Sequence, residues 1–194
     1  MIPFWFKLAY TAFVVVLVLV YLRGYGPRNF LWFSDIALIG AVPALWLESS
    51  LLASMLTLAV LLPEVVWNTS FFGHLITRKK VLKLADYMFD PAEPRHLRAL
   101  SLFHVPLPLV LLWMVISYGY DERALQAATL LAWLVLPLSW WLSPPKENIN
   151  WVFGPLGKPQ TLLPPGIYLG LLMLFFPLVV YWPTHHLLRW WLGS

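Results

Sequence analysis

Asp35, Glu64, Asn68 and His104 stand inside stretches of sequence that are otherwise apolar. Two carboxylates, an amide and an imidazole are groups from which proton transfer and metal binding are built. An ionisable side chain within an apolar helix costs roughly 2.5–3.5 kcal/mol on insertion scales, so each of them needs a reason to be there. For any one alone, a hydrogen bond to a neighbouring helix would be reason enough. Their coincidence points further. Pro63 beside Glu64, and Pro106 and Pro108 after His104, add local helix irregularity that could open a polar cavity.

Three chemistries fit the set. Asp35, Glu64 and His104, with His74 as a further candidate, offer oxygen and imidazole ligands suited to a divalent metal such as Zn, Mn or Fe. No H-E-x-x-H or comparable spacing supports that reading. Alternatively, a carboxylate–histidine pair does general acid–base work on a lipid-like substrate, which makes Asp35, Glu64 and His104 the candidate catalytic residues. Ser101 precedes His104 by three residues and Ser34 adjoins Asp35, so a Ser–His–Asp arrangement is conceivable. In the third chemistry the same groups relay protons in a small carrier.

Candidate substrate-binding residues are Asn68, Asn148, Asn150, Trp151 and Arg28. Asn68 follows Glu64 by four residues and shares its helix face. Asn148 and Asn150 would point the same way in an extended strand and offer amide donors and acceptors, with Trp151 dipping into the interface beside them. A rigid proline-rich connection whose asparagines cap its turns explains them equally well. Gly26-Pro27-Arg28-Asn29 reads either as a turn with a helix cap or as a phosphate-contacting edge. The adjacent His185 and His186 diverge by about 100° on a helix and make a poor metal pair.

The elements that must hold these residues are membrane helices. Of 194 residues, 60% are hydrophobic and 11% charged, whereas soluble domains carry about 25% charged residues. Twelve tryptophans suit rings placed at membrane interfaces. The net charge of +4 comes from basic residues that flank apolar runs and form no continuous face, which argues against nucleic acid and for anionic membrane lipid. Without cysteine there is no disulfide, thiolate zinc site, cysteine nucleophile or covalently attached c-type haem.

The expected architecture is all-α: one polytopic membrane domain over 1–194 with six spans and one interfacial helix. The spans fall at about 4–22, 30–47, 51–72, 99–118, 124–142 and 167–182. The apolar run 30–72 would reach about 65 Å as one helix, twice a hydrocarbon core of about 30 Å, so it must fold back, and Glu48-Ser49-Ser50 is its strong polar interruption. Within 79–90, Val81, Leu84, Ala85, Met88 and Phe89 keep helical spacing, while Lys79, Lys80, Lys83 and Asp86 lie off that stripe; this predicts an amphipathic helix in the interface. The first span continues into Arg23-Gly24-Tyr25-Gly26-Pro27-Arg28 with no small-x-small cleavage site, so it reads as retained. The connection 143–166 holds six prolines and is long enough to be functional or re-entrant.

Six spans put both termini and the even-numbered loops on one side with Lys7, Arg123 and Arg189, and the remaining ten basic residues in the first, third and fifth loops. The excess of positive charge places those three loops in the cytoplasm and the termini outside. Asp35 then lies about 8 Å, and Glu64 about 12 Å, below the cytoplasmic surface, with His104 about one turn into its span. The acids, amides and imidazole gather in one leaflet and leave the other nearly blank.

The segments Tyr25–Asp35 (YGPRNFLWFSD) and Asn148–Pro155 (NINWVFGP) are similar to a family of bacterial proteins known only as membrane-associated proteins, and the similarity runs along most of the chain. The resemblance implies a bacterial inner membrane and carries no activity and no catalytic residues. The function expected from the residues is a membrane-embedded enzyme or binding protein for a lipid or other amphiphile, with a polar cavity in the cytoplasmic leaflet. The alternatives are a small proton-coupled carrier and an accessory or assembly subunit that pairs with itself or with a membrane partner protein.

Overall fold

The computed structural model describes residues 1–192, apart from the side chain of Leu156. Its helices are α1 (Phe4–Gly24), α2 (Phe33–Trp46), α3 (Ser50–Thr77), α4 (Arg95–Ser101), α5 (Leu107–Tyr118), α6 (Ala124–Leu142), α7 (Pro165–Phe175) and α8 (Trp182–Leu192). No strand occurs among the described residues. Two pairs run on through a tighter or wider turn, so that Arg95–Tyr118 and Pro165–Leu192 each form one apolar rod. With α1, α3 and α6 these make five rods long and apolar enough to cross a bilayer, and the chain is by composition a multi-pass membrane protein. Val15, Leu19, Leu109, Leu130, Leu134 and Leu178 point outward, as apolar side chains do where the solvent is lipid.

α3 is the central helix and packs against α2, α5 and α6. It starts where the Ser49 hydroxyl accepts the Leu52 N–H at 3.3 Å, a cap that satisfies one of the orphan donors of the first turn. Small residues let neighbours approach closely. Ala124, Ala128 and Ala132 recur every fourth position on α6 and are fully buried, and Ala37, Ala41 and Ala44, at spacings of four and three, are buried on one face of α2. Without a lipid-to-lipid hydrophobic gain, such close contact supplies van der Waals attraction in its place.

α2 is short. Its 14 residues rise about 21 Å, against a hydrocarbon core of about 30 Å. A turn at Pro27–Leu31 precedes it, so Asp35 sits in its first turn instead of midway along a longer span. α3 in turn runs five residues past the expected end at 72, to Thr77. The expected span 99–118 is broken at Leu102–His104, because Pro106 and Pro108 remove two N–H donors from the ladder.

The interfacial helix expected over 79–90 does not form. Only Asp86–Phe89 makes a tight turn, and Leu82 and Lys83 take left-handed conformations that no helix accepts. A tertiary hydrogen-bond set outweighs the amphipathic pattern there. The Ser70 hydroxyl on α3 donates to the Val81 carbonyl (2.6 Å) and accepts the N–H groups of Leu84 (3.1 Å) and Ala85 (3.2 Å), which folds the segment back on α3.

The last rod also exceeds its expected bounds of 167–182. It continues through a wide, π-type turn at Phe176–Tyr181 into α8, so the region read as a tail is helical. Pro177 supplies the cause: lacking an N–H, it leaves the carbonyl of Met173 without its ladder partner. The Trp133 indole of α6 donates to that carbonyl at 2.9 Å. Trp133→Phe is therefore expected to lower unfolding stability by about 1 kcal/mol, the net worth of one hydrogen bond. Thermal unfolding in detergent micelles checks this, and an unchanged midpoint would show that the turn holds without the indole.

Hydrogen bonds sort the connections into two ends. One end gathers Lys7–Glu48 (2.6 Å), Asp121 N–H to Ser54 Oγ (3.0 Å), Tyr120–His185 (2.6 Å) and Arg189–Glu122 (2.8 Å). The other gathers Arg28–Glu147 (2.6 Å) and the turn at Ile149–Trp151, while the Glu64–His104 pair lies midway along α3. The first end is thus richer in polar contacts than the nearly blank leaflet expected.

A buried glutamate–histidine pair on an aromatic cavity

Glu64 follows Pro63 in the middle of α3 and is only 2% exposed. His104 closes the tight turn between α4 and α5, and its Nδ1 lies 2.9 Å from both Glu64 Oε1 and Oε2. The carboxylate straddles the imidazole nitrogen, so the Nδ1 proton is the one it holds. That fixes the tautomer and leaves Nε2 as the atom free to take or give a proton.

Two further contacts lock the ring. It stacks on Trp67 (4.4 Å, 20°) and on Phe103 (4.2 Å, 23°). The backbone beneath it is held by Asn68, whose amide donates to the carbonyl of His104 at 2.9 Å and to that of Glu64 at 2.8 Å. Pro108 stands four residues after His104 and has no N–H to offer that carbonyl. The amide of Asn68 substitutes for the missing donor. Asn68, expected among the substrate-binding residues, is instead a positioning residue with both amide hydrogens in use.

Asn150 works in the same way at the start of α2. Its Oδ1 accepts the Phe33 N–H at 3.1 Å, while its Nδ2 donates to the Leu31 carbonyl (2.7 Å) and to Ser139 Oγ (3.2 Å). It is a helix cap supplied from 117 residues away, which also ties α2 to α6. Asn148 and Asn150 do not lie in an extended strand. Asn148, Asn150 and Trp151 all have positive φ, a conformation asparagine tolerates best after glycine. The Asn148 side chain accepts from Phe153 N–H and donates to the Gly154 carbonyl, closing the loop on itself. Gly154 is required there, since an added Cβ would stand 2.1 Å from the Lys158 carbonyl oxygen. The segments 25–35 and 148–155 thus meet each other through Asn150.

These elements enclose a cavity of about 560 Å³, within the usual range for small-molecule sites. Asp35, Glu64 and His104 share its wall, as do Ser34, Ser101, Asn150 and Trp151. The wall also includes Tyr21, Tyr25, Trp32, Tyr87 and Glu93, none of which the sequence singled out. Tyr21 and Tyr25 share a helix face at four-residue spacing, which is the one signal that could have marked them. Asp35 is 4% exposed and receives one long hydrogen bond, from the Asn29 amide to Oδ1 at 3.3 Å.

Arg28, Asn68, Asn148 and His74 lie off the wall. Arg28 forks onto Glu147 with bonds of 2.6 and 2.9 Å, and the guanidinium holds the Glu147 carboxyl below the usual range. His74 stacks on Phe89 at 3.9 Å and faces Asp86 at 3.8 Å, so it cannot join Glu64 and His104 around one ion. Among the described residues no three His, Asp or Glu side chains converge as metal ligands would. Ser101 donates to the Leu97 carbonyl (3.1 Å) and accepts from the Tyr21 hydroxyl (2.6 Å), so it makes no bond to His104. What remains is a hydrogen-bonded glutamate–histidine pair on the wall of an aromatic cavity. No protein family, no curated protein and no solved structure matches this chain.

Proposed function

We propose that this chain binds an amphiphilic small molecule in the cavity and that His104, oriented by Glu64, does general acid–base work on its polar end. One observation carries the reading: a histidine whose Nδ1 is committed to a buried carboxylate lines a 560 Å³ cavity and has no protein partner for Nε2 among the described residues. Aromatic and aliphatic walls favour an apolar body, and Asp35, Glu64 and His104 on the same wall would meet the polar end of an amphiphile. Ser101 is engaged by Leu97 and Tyr21 and not by His104, which favours proton transfer over acyl transfer.

The test is native mass spectrometry of the protein purified from its expressing membrane, beside a Ser34→Trp variant that fills the cavity. The wild type should retain one small amphiphile per chain and the variant none. Identical profiles of bulk lipid in both would defeat the reading.

The host membrane in this proposal is a bacterial inner membrane, as the similarity of segments 25–35 and 148–155 implies, with the cavity in the cytoplasmic leaflet and both termini outside. The ten-to-three distribution of basic residues supports that orientation. A C-terminal GFP fusion should therefore be dark in bacteria, because GFP exported unfolded does not mature; bright fluorescence would invert the topology.

A further inference from the structure

We infer that the molecule the cavity takes bears a single positive charge, as an aliphatic amine or a quaternary ammonium on an apolar chain. This rests on the reading that the cavity binds an amphiphile and specifies its head. Three carboxyl groups line the wall, Asp35, Glu64 and Glu93, and not one lysine or arginine does. Glu64 is answered by His104. Asp35 is not answered: it is 4% exposed, Oδ1 has the single 3.3 Å bond from Asn29, and Oδ2 has no hydrogen bond among the described residues.

A buried carboxylate is retained in membrane helices where a cation, a proton or a polar cavity meets it. Its place in the first turn of α2 supplies the partial positive charge of a helix N-terminus, about half an elementary charge and shared with the cap. A ligand cation would complete the pairing. The rest of the wall suits one, since Tyr21, Tyr25, Trp32 and Tyr87 present aromatic rings of the kind that hold ammonium groups over their faces. A phosphate or carboxylate head would meet three acids and no permanent cation. The exposed lysines that could attract such heads, Lys79, Lys80 and Lys83, lie on the loop that follows α3 and not on the wall.

The experiment measures saturable binding of four dodecyl probes to the protein in zwitterionic nanodiscs, corrected for partition into empty discs: dodecylamine, dodecyltrimethylammonium, dodecanol and dodecyl phosphate. The two cations should bind at least about tenfold more tightly than the alcohol, the scale of a desolvated cation–π and ion-pair contact, and the phosphate should not saturate. Preference for the quaternary probe would assign the head to the aromatic faces, and preference for the primary amine to Asp35; both support a cationic ligand. Asp35→Asn should erase the preference. Asn29→Lys, which supplies an internal cation beside Asp35 and should leave the melting temperature no lower, should also erase it while dodecanol binding persists. Equal binding of alcohol and cations, or an undiminished preference in N29K, overturns the inference and leaves the amphiphile reading standing. No saturable binding by any probe overturns both.

Discussion

Replacing His104 with leucine while Glu64 stays in place is expected to cost about 3–5 kcal/mol of unfolding free energy, because it strands a buried carboxylate without a partner. Glu64 is 2% exposed and its two oxygens have no other ion-pair partner among the described residues. The double variant E64L/H104L should recover most of that loss, since well-packed apolar side chains of similar volume often replace a buried ion pair at little cost. Denaturant unfolding in micelles closes the cycle. A recovered double variant that no longer retains an amphiphile would separate the functional role of the pair from its structural one. If H104L alone unfolds like the wild type, the two side chains are not coupled, and the proton-transfer pair loses its basis.

The second large effect is expected at Asn150. Asn150→Leu removes the cap on the Phe33 N–H and the bonds to the Leu31 carbonyl and Ser139 in one step. Loss of a cap costs about 1 kcal/mol, and each buried polar group left unpaired a further 1–3, so a total near 3 kcal/mol is expected. Ser139→Ala, which removes only one 3.2 Å contact, should cost less than half as much. Because Asn150 also carries the start of α2, N150L should loosen Asp35 and weaken ligand retention together with stability. Loss of stability equal to that of S139A would show that α2 is capped by other means.

The membrane-helix architecture was legible because apolar run length is a direct physical requirement of the bilayer; of the six spans expected, five are rods long enough to cross and the second, α2, is short. The convergence of Asp35, Glu64 and His104 was legible for a related reason: in a bundle of spans, depth along each helix translates into proximity. The amide side chains were read differently from what the fold makes of them. Asn68 answers the carbonyl that Pro108 leaves open, and Asn150 caps a helix from 117 residues away. Nothing local to either asparagine announces that partner. The segment 79–90 has a helical stripe that the Ser70 hydroxyl overrides from α3, again a tertiary contact without a local trace. Tyr87 reaches the cavity wall because that segment folds back on α3, which is why an amphipathic reading of it passed over this residue.

The central claim is that His104 keeps Nδ1 on Glu64 and presents Nε2 to the bound molecule. Nitrogen-15 NMR of histidine-labelled protein in nanodiscs, before and after adding a lipid extract of the expressing membrane, tests it most directly. The account predicts a Nδ1-protonated His104 whose Nε2 signal moves on addition, while His74, outside the cavity, does not respond. A His104 protonated only at Nε2, or one indifferent to the extract, would contradict it.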